Sequence, residues 1–211
     1  MAASLHDRPE QGFARYDESP DESFYAQPRL VTHIDEGAIA AVTGLYREFF
    51  PPDGDILDLM SSWVSHLPAE VHYRCVVGQG MNMAELAANP RLTERLVHNL
   101  NATPTLPFDD DAFDGAGMCV SVQYLTRPVE VFREVARVLR PGAPFVVTFS
   151  NRCFPTKAVA LWQSLDDQGH VELLERYFAE AGAWTGVEAR EARRGGWRGD
   201  PLYGVIGRRR A

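Results

Sequence analysis

Hydrophobic positions along the chain fall into short apolar runs separated by polar stretches rich in glycine, proline and asparagine. One run organises the rest. Asp55-Ile56-Leu57-Asp58-Leu59 reads as a buried strand that ends at an acid and enters a loop of small polar residues, 60–68. Further strands are expected at 73–78, weakly at 98–102, at 113–120, and at 145–149, an apolar β-branched run suited to burial on both faces. Between them the spacing predicts helices at 83–89, 91–98, 128–139, 156–165 and 170–181. The clearest is 128–139, with Val129, Phe132, Val135, Ala136 and Leu139 on one face and Glu130, Arg133, Glu134 and Arg137 on the other. Asn82 with Glu85 three residues on reads as a capping box. Pro90 suits the first position of the next helix, and Gly182 suits a C-terminal cap.

Upstream, Phe24, Tyr25, Leu30, Ile34, Ile39, Val42, Leu45, Tyr46, Phe49 and Phe50 recur near helical spacing. They predict one or two helices that end before Pro51-Pro52, since proline cannot continue a helix. These helices either cover one sheet face or form a lid over a ligand. Residues 1–23 are polar and acidic, which predicts a disordered or extended tail. Near the C-terminus, 184–189 and 202–206 read as strands joined through Gly195-Gly196 and Gly199-Asp200-Pro201, a hairpin. The expected class is α/β: a doubly wound, mostly parallel sheet of seven strands that closes in an antiparallel hairpin, with 24–211 as one domain. That hairpin sets it apart from a plain dinucleotide-binding fold, whose last strand joins in parallel.

Composition narrows the function. The length of 211 residues suits one well-buried domain. A net charge of -8 argues against nonspecific nucleic-acid binding and against an anionic membrane surface. A small neutral or cationic substrate is easier to accommodate. Cys75, Cys119 and Cys153 are widely spaced with no C-x-x-C pattern, so reduced thiols in a cytoplasmic protein and no metal site are expected. No cationic stretch followed by an apolar run opens the sequence, so no signal peptide is expected, and no apolar run approaches the ~20 residues of a membrane span.

Four blocks in order resemble the class I S-adenosylmethionine-dependent methyltransferases, most closely the small type 11 group. They are residues 55–66 at the first strand and its loop; Leu106-Pro107-Phe108 followed by Ala112-Phe113-Asp114; Glu134-Val135-Ala136-Arg137-Val138-Leu139-Arg140-Pro141-Gly142; and the C-terminal hairpin. The resemblance implies the class I methyltransferase fold, S-adenosyl-L-methionine as cofactor, and methyl transfer to a small-molecule nucleophile (nitrogen, oxygen or sulfur). Two departures stand out. The three glycine places of the family's first loop hold Met60, Ser62 and Val64. The family's acid after the second strand aligns with Gly80, with Asn82 two residues on.

On that resemblance the cofactor would be held by Asp58, Met60, Ser61, Ser62, Gly80, Asn82, Leu100, Asn101 and Ser121. Ser61 and Ser62 would give hydroxyl donors to the cofactor's carboxylate in place of glycine backbone. Asn82 serves equally as a ribose partner or as a helix cap, and Asn101 as an adenine partner or as part of an Asx turn. Tyr124, Gln123 and His33 are the catalytic candidates: Gln123 and Tyr124 to position a nucleophile, and His33, with His66, as a possible base. Tyr25, Arg29, Asn151 and Arg152 are the substrate-binding candidates, with Lys157 beside Arg152 as a second cation for a carboxylate or phosphate. Two rival readings remain open. One is a degenerate relative acting as a cofactor-binding or regulatory module, suggested by the lost glycines. The other is the same fold using the cofactor for chemistry other than methyl transfer. A monomer or homodimer is expected.

Overall fold

A computed structural model describes residues 10–196 and 199–211. Seven strands form one sheet in the order β3-β2-β1-β4-β5-β7-β6. They are β1 (Asp55–Leu59), β2 (Cys75–Gly80), β3 (Glu94–Val97), β4 (Gly115–Cys119), β5 (Pro144–Phe149), β6 (Trp184–Arg193) and β7 (Leu202–Arg209). The first five run parallel, and β7 pairs antiparallel with both β5 and β6. The helices are α1 (Asp21–Phe24), α2 (Glu36–Phe49), α3 (Met83–Ala88), α4 (Pro128–Val138), α5 (Ala160–Gln163) and α6 (Asp167–Ala181).

The sheet is covered on both faces, which is why β5 is apolar except for Thr148 and fully buried. On one face Phe132 and Val135 of α4 and Tyr177 and Phe178 of α6 pack against Phe145 and Val147. On the other, Val42, Leu45, Tyr46 and Phe49 of α2 cover Ile56, Val146 and Ile206. Each such side chain contributes about 1.5–3 kcal/mol on leaving water. The ends of the helices follow local chemistry. Asp35 caps α2 through Ala38 N (2.8 Å), Asp166 caps α6 through Gly169 N (2.8 Å), and Gly182 closes α6 at φ 75°.

Several expected bounds move. The helix expected at 91–98 is absent, and β3 runs there instead. Asn89 Oδ1 accepts from Arg91 N (3.0 Å), Thr93 N donates to Val76 O (2.9 Å), and the ladder onto β2 begins. As a short edge strand β3 is mostly exposed, so Glu94-Arg95-Leu96-Val97 carries no apolar signal. The strand expected at 98–102 is a turn, with Asn99 Oδ1 accepting from Asn101 N and Ala102 N. The helix expected at 156–165 shrinks to α5, because residues 154–159 are drawn into turns by the Phe154 and Gln123 carbonyls. Residues 1–9 of the expected tail lie outside the described residues. Residues 10–23 are not a free tail. A 3-10 turn (Glu10–Phe13) and α1 pack on the domain, Arg15 bridges to Val159, and Asp21 is buried.

Candidate functional site

The carboxyl ends of β1, β2 and β4 open into a cavity of about 280 Å³, near the lower end of the ~300–1,000 Å³ range of small-molecule sites. Strand order reverses between β1 and β4, the place where open α/β sheets bind ligands. Both strands leave the sheet through a non-glycine residue in the left-handed region, Met60 (φ 52°) and Val120 (φ 48°). Such a residue costs about 1–3 kcal/mol and persists only where its surroundings hold it. Here they do: Met60 N donates to Gln79 Oε1 (3.0 Å), Ser61 N to Gln79 O (2.7 Å) and Val120 N to Thr148 O (2.9 Å).

Asp58 sits at the end of β1 and is buried. Its Oδ2 accepts from Ser61 Oγ (2.5 Å) and Ser65 Oγ (2.6 Å). Burial pushes its carboxyl up to about 6, against the opposing pull of those hydroxyls. Ser62 Oγ donates to Glu85 Oε2 (2.6 Å), and Glu85 Oε1 accepts from Arg29 N (2.7 Å). Ser121 Oγ is buried on the cavity wall without a partner.

A strap of residues 15–34 lies across the cavity mouth. Lys157 is fully buried beneath it and donates through Nζ to Ser19 O (2.6 Å) and Asp17 O (3.1 Å), with Asp21 Oδ1 at 3.4 Å. Arg15 Nη1 meets the same carboxylate at 2.7 Å, and Asn101 Nδ2 donates to its other oxygen (3.0 Å). Further along, Asn82 Nδ2 donates to Tyr25 O (2.9 Å) and Trp63 Nε1 to Val31 O (3.0 Å). Among the described residues no group of three or more His, Cys, Asp or Glu side chains is arranged to hold a metal ion.

Residues 61–147 match the family model described as Methyltransferase domain. That match lies on a sheet whose parallel strands close in an antiparallel hairpin. This segment is similar to a methyltransferase domain, and the sheet has the class I methyltransferase fold. Among curated proteins it is 29% identical over 80 residues to the biotin biosynthesis bifunctional protein BioHC of Teredinibacter turnerae, covering 38% of this chain and only 14% of that protein's length. Among solved structures it is similar to a chain of the complex between the Haloferax volcanii Trm112 methyltransferase activator and the putative methyltransferase. That likeness has a TM-score of 0.60 at 16% identity, over 83% of this chain and 91% of the other. It is also similar to Haemonchus contortus phosphoethanolamine N-methyltransferase 2 in complex with S-adenosyl-L-methionine, at a TM-score of 0.59 and 12% identity, over 82% of this chain and 52% of the other.

Most of the expected site residues converge on the cavity. Asp58, Met60, Ser61, Ser62, Gly80, Asn82, Leu100, Asn101 and Ser121 line it, as do Tyr124, His33, Tyr25, Arg29 and Arg152. Gln123 and Asn151 do not. Gln123 is buried with its Nε2 turned back to Val120 O (3.0 Å), and Asn151 is exposed beside Ser150.

The bonding of several differs from expectation. The hydroxyls of Ser61 and Ser62 are donated inward to Asp58 and Glu85, not outward to the cavity. A Cβ on Gly80 would overlap the Ser61 carbonyl oxygen, so no acid fits at that place. Asn82 is committed as the α3 cap and as a strap anchor. Asn101 is likewise committed, donating to Asp21 and Tyr124 O while accepting from Thr126 N (2.8 Å). Lys157 is a buried anchor of the strap, not an exposed cation for substrate.

Four contributors escaped the sequence reading. Glu85 was assigned to a capping box, yet its carboxylate faces Ser62 and Arg29 at the cavity. Its place three residues after the cap held the only signal. Asp21 and Arg15 belong to a segment whose composition reads as a tail, and nothing local marks them. Phe154 stacks on Tyr124 and receives the edge of Phe24.

Proposed function

We propose that the chain transfers a methyl group from S-adenosyl-L-methionine to a nucleophile on a small molecule held in this cavity. The observation that carries the reading is the open cavity at the β1–β4 reversal point of a methyltransferase domain, with Met60 and Trp63 in its wall rather than filling it. The residues present fit the cofactor: an orphaned buried hydroxyl on Ser121, a carboxylate on Asp58, and the apolar Leu100 and Met60. Asp58, Ser121, Leu100 and Glu85 would hold it. When bound, it supplies an electrophilic methyl group on a positively charged sulfur.

The chain's own residues then orient the acceptor and exclude water. Tyr124 accepts from Phe154 N (2.8 Å), and burial pushes its phenol up to about 12, so it stays protonated and acts as a donor or packing ring. His33 lines the cavity, and burial holds its imidazole below the ordinary value, leaving it neutral near pH 7 and able to accept a proton. Gln123 supports Val120 from below and acts through it. Incubation with methyl-labelled cofactor and fractionated small-molecule extracts tests the reading. Labelled product with stoichiometric S-adenosylhomocysteine supports it, and cofactor binding without label transfer from any fraction supports a binding module instead.

A further inference from the structure

Arg29 enters the cavity wall with its guanidinium among aromatic rings. Its Cζ lies 4.6 Å from the Phe24 ring centre, 5.4 Å from Phe154 and 5.9 Å from Tyr25. The backbone N–H of Arg29 is tied to Glu85 Oε1, and Nη2 donates to Phe24 O (3.0 Å). The side chain is therefore fixed at both ends. Yet Nη1 is buried with no hydrogen-bond partner, and among the described residues the guanidinium forms no ion pair. The other cations near it are spoken for: Arg15 and Lys157 by Asp21, Arg152 by Asp200 (2.8 Å). Stacking on aromatic faces leaves the in-plane N–H groups of a guanidinium directed outward, the geometry that recognises a planar oxyanion. A buried charged donor without an acceptor is unfavourable, and a ligand oxygen would relieve it.

We propose that Arg29 is the anchor for an oxyanion, a carboxylate or phosphate, on the methyl acceptor, its hydrophobic body lying against Tyr25, Phe154 and Tyr124. The proposal rests on the methyl-transfer reading of this cavity and narrows it to anionic acceptors. It runs against the net charge of -8, which favours neutral or cationic substrates. The local arrangement outweighs the total, because a half-buried guanidinium acts at contact distance while surface carboxylates are screened within ~10 Å.

The test titrates phenylacetate, phenyl phosphate and the neutral phenylacetamide into the full chain, with and without S-adenosylhomocysteine, by calorimetry. Binding of one or both charged probes about tenfold or more tighter than the amide supports the proposal, and which charged probe wins separates carboxylate from phosphate. In Arg29→Gln the charged probes should fall to the amide's affinity while the amide is unchanged. Arg29→Lys, which keeps the charge, should recover part of the difference. Circular dichroism of both variants confirms that the strap and fold persist. Charged and neutral probes behaving alike in the unaltered chain, none binding included, would overturn the proposal, as would undiminished charged-probe binding in Arg29→Gln. Failure of S-adenosylhomocysteine to bind while the charged probes do would sink the methyl-transfer reading and leave the oxyanion anchor standing.

Discussion

Asp35 and Asp200 hold each other by reciprocal hydrogen bonds: Asp35 N donates to Asp200 Oδ2 (3.0 Å), and Asp200 N donates to Asp35 Oδ2 (2.7 Å). Arg193 Nη1 joins the pair through Asp35 Oδ1 (2.5 Å) and Asp200 O (2.8 Å), and Arg152 Nε meets Asp200 Oδ1 (2.8 Å). This knot ties the start of α2, the β6–β7 connection and the loop after β5. Two of those three segments border the cavity. Asp200→Ala leaves Asp35 N and Arg152 without their buried partner and should cost roughly 2 to 3 kcal/mol. Urea unfolding checks it, with Asp200→Asn expected to retain about half of the loss.

Asp58 makes stability depend on pH in a defined direction. Its folded value near 6 lies above the ordinary 3.8, so the folded state prefers the protonated form. That stabilisation is complete below about 3.8 and is lost as pH rises through about 6. The loss from this one group is on the order of 3 kcal/mol. Asp58→Asn should therefore gain on the unaltered chain by about that amount between pH 4 and pH 7. Unfolding free energies at both pH values decide it, and an unchanged difference between the two proteins would refute it.

Lys157 predicts the behaviour of the strap. Its ammonium is fully buried and faces Asp21, itself only 5% exposed. Lys157→Met leaves that carboxylate with Arg15 and Asn101, strips the Ser19 and Asp17 carbonyls of their donor, and should destabilise the chain by about 1 to 3 kcal/mol. Limited proteolysis should then cut first within residues 10–25. Cutting elsewhere at the same rate would mean the strap is held by something other than this lysine.

The fold was legible because its central strands are buried on both faces and its helices are amphipathic, so β1, β5, α4 and α6 announce themselves by their apolar pattern. β3 was not, because an edge strand with one partner needs no apolar run. At the site, the sequence pointed to the right loops and to most of the lining residues. It could not show where their hydrogens go. Ser61 and Ser62 were expected to replace glycine backbone as outward donors, and they face inward because Asp58 and Glu85 lie within hydrogen-bond distance of their hydroxyls. The strap escaped notice for a related reason. Its order comes from a lysine well over a hundred residues away, a contact with no local signature.

Gly80 offers a direct contest between resemblance and geometry. On the family resemblance, the chain lacks an acid at this place, and restoring it by Gly80→Asp would be expected to improve cofactor binding. The Ser61 carbonyl occupies the space that a side chain there would need, and Leu86 Cδ2 lies 3.1 Å from the same point. Gly80→Asp should instead push the β1 loop away, costing about 1–3 kcal/mol of stability and weakening the site. Thermal unfolding together with cofactor titration of the variant reads both effects, and tighter binding would show that the loop yields.

The most direct test of the whole account is a calorimetric titration of S-adenosylhomocysteine into the full chain. Saturable binding at one site, weakened in Gly80→Asp, is the result predicted from a cavity built on committed serines and a glycine-poor loop. Absence of any binding heat across the accessible concentration range, with the chain folded throughout, would contradict it.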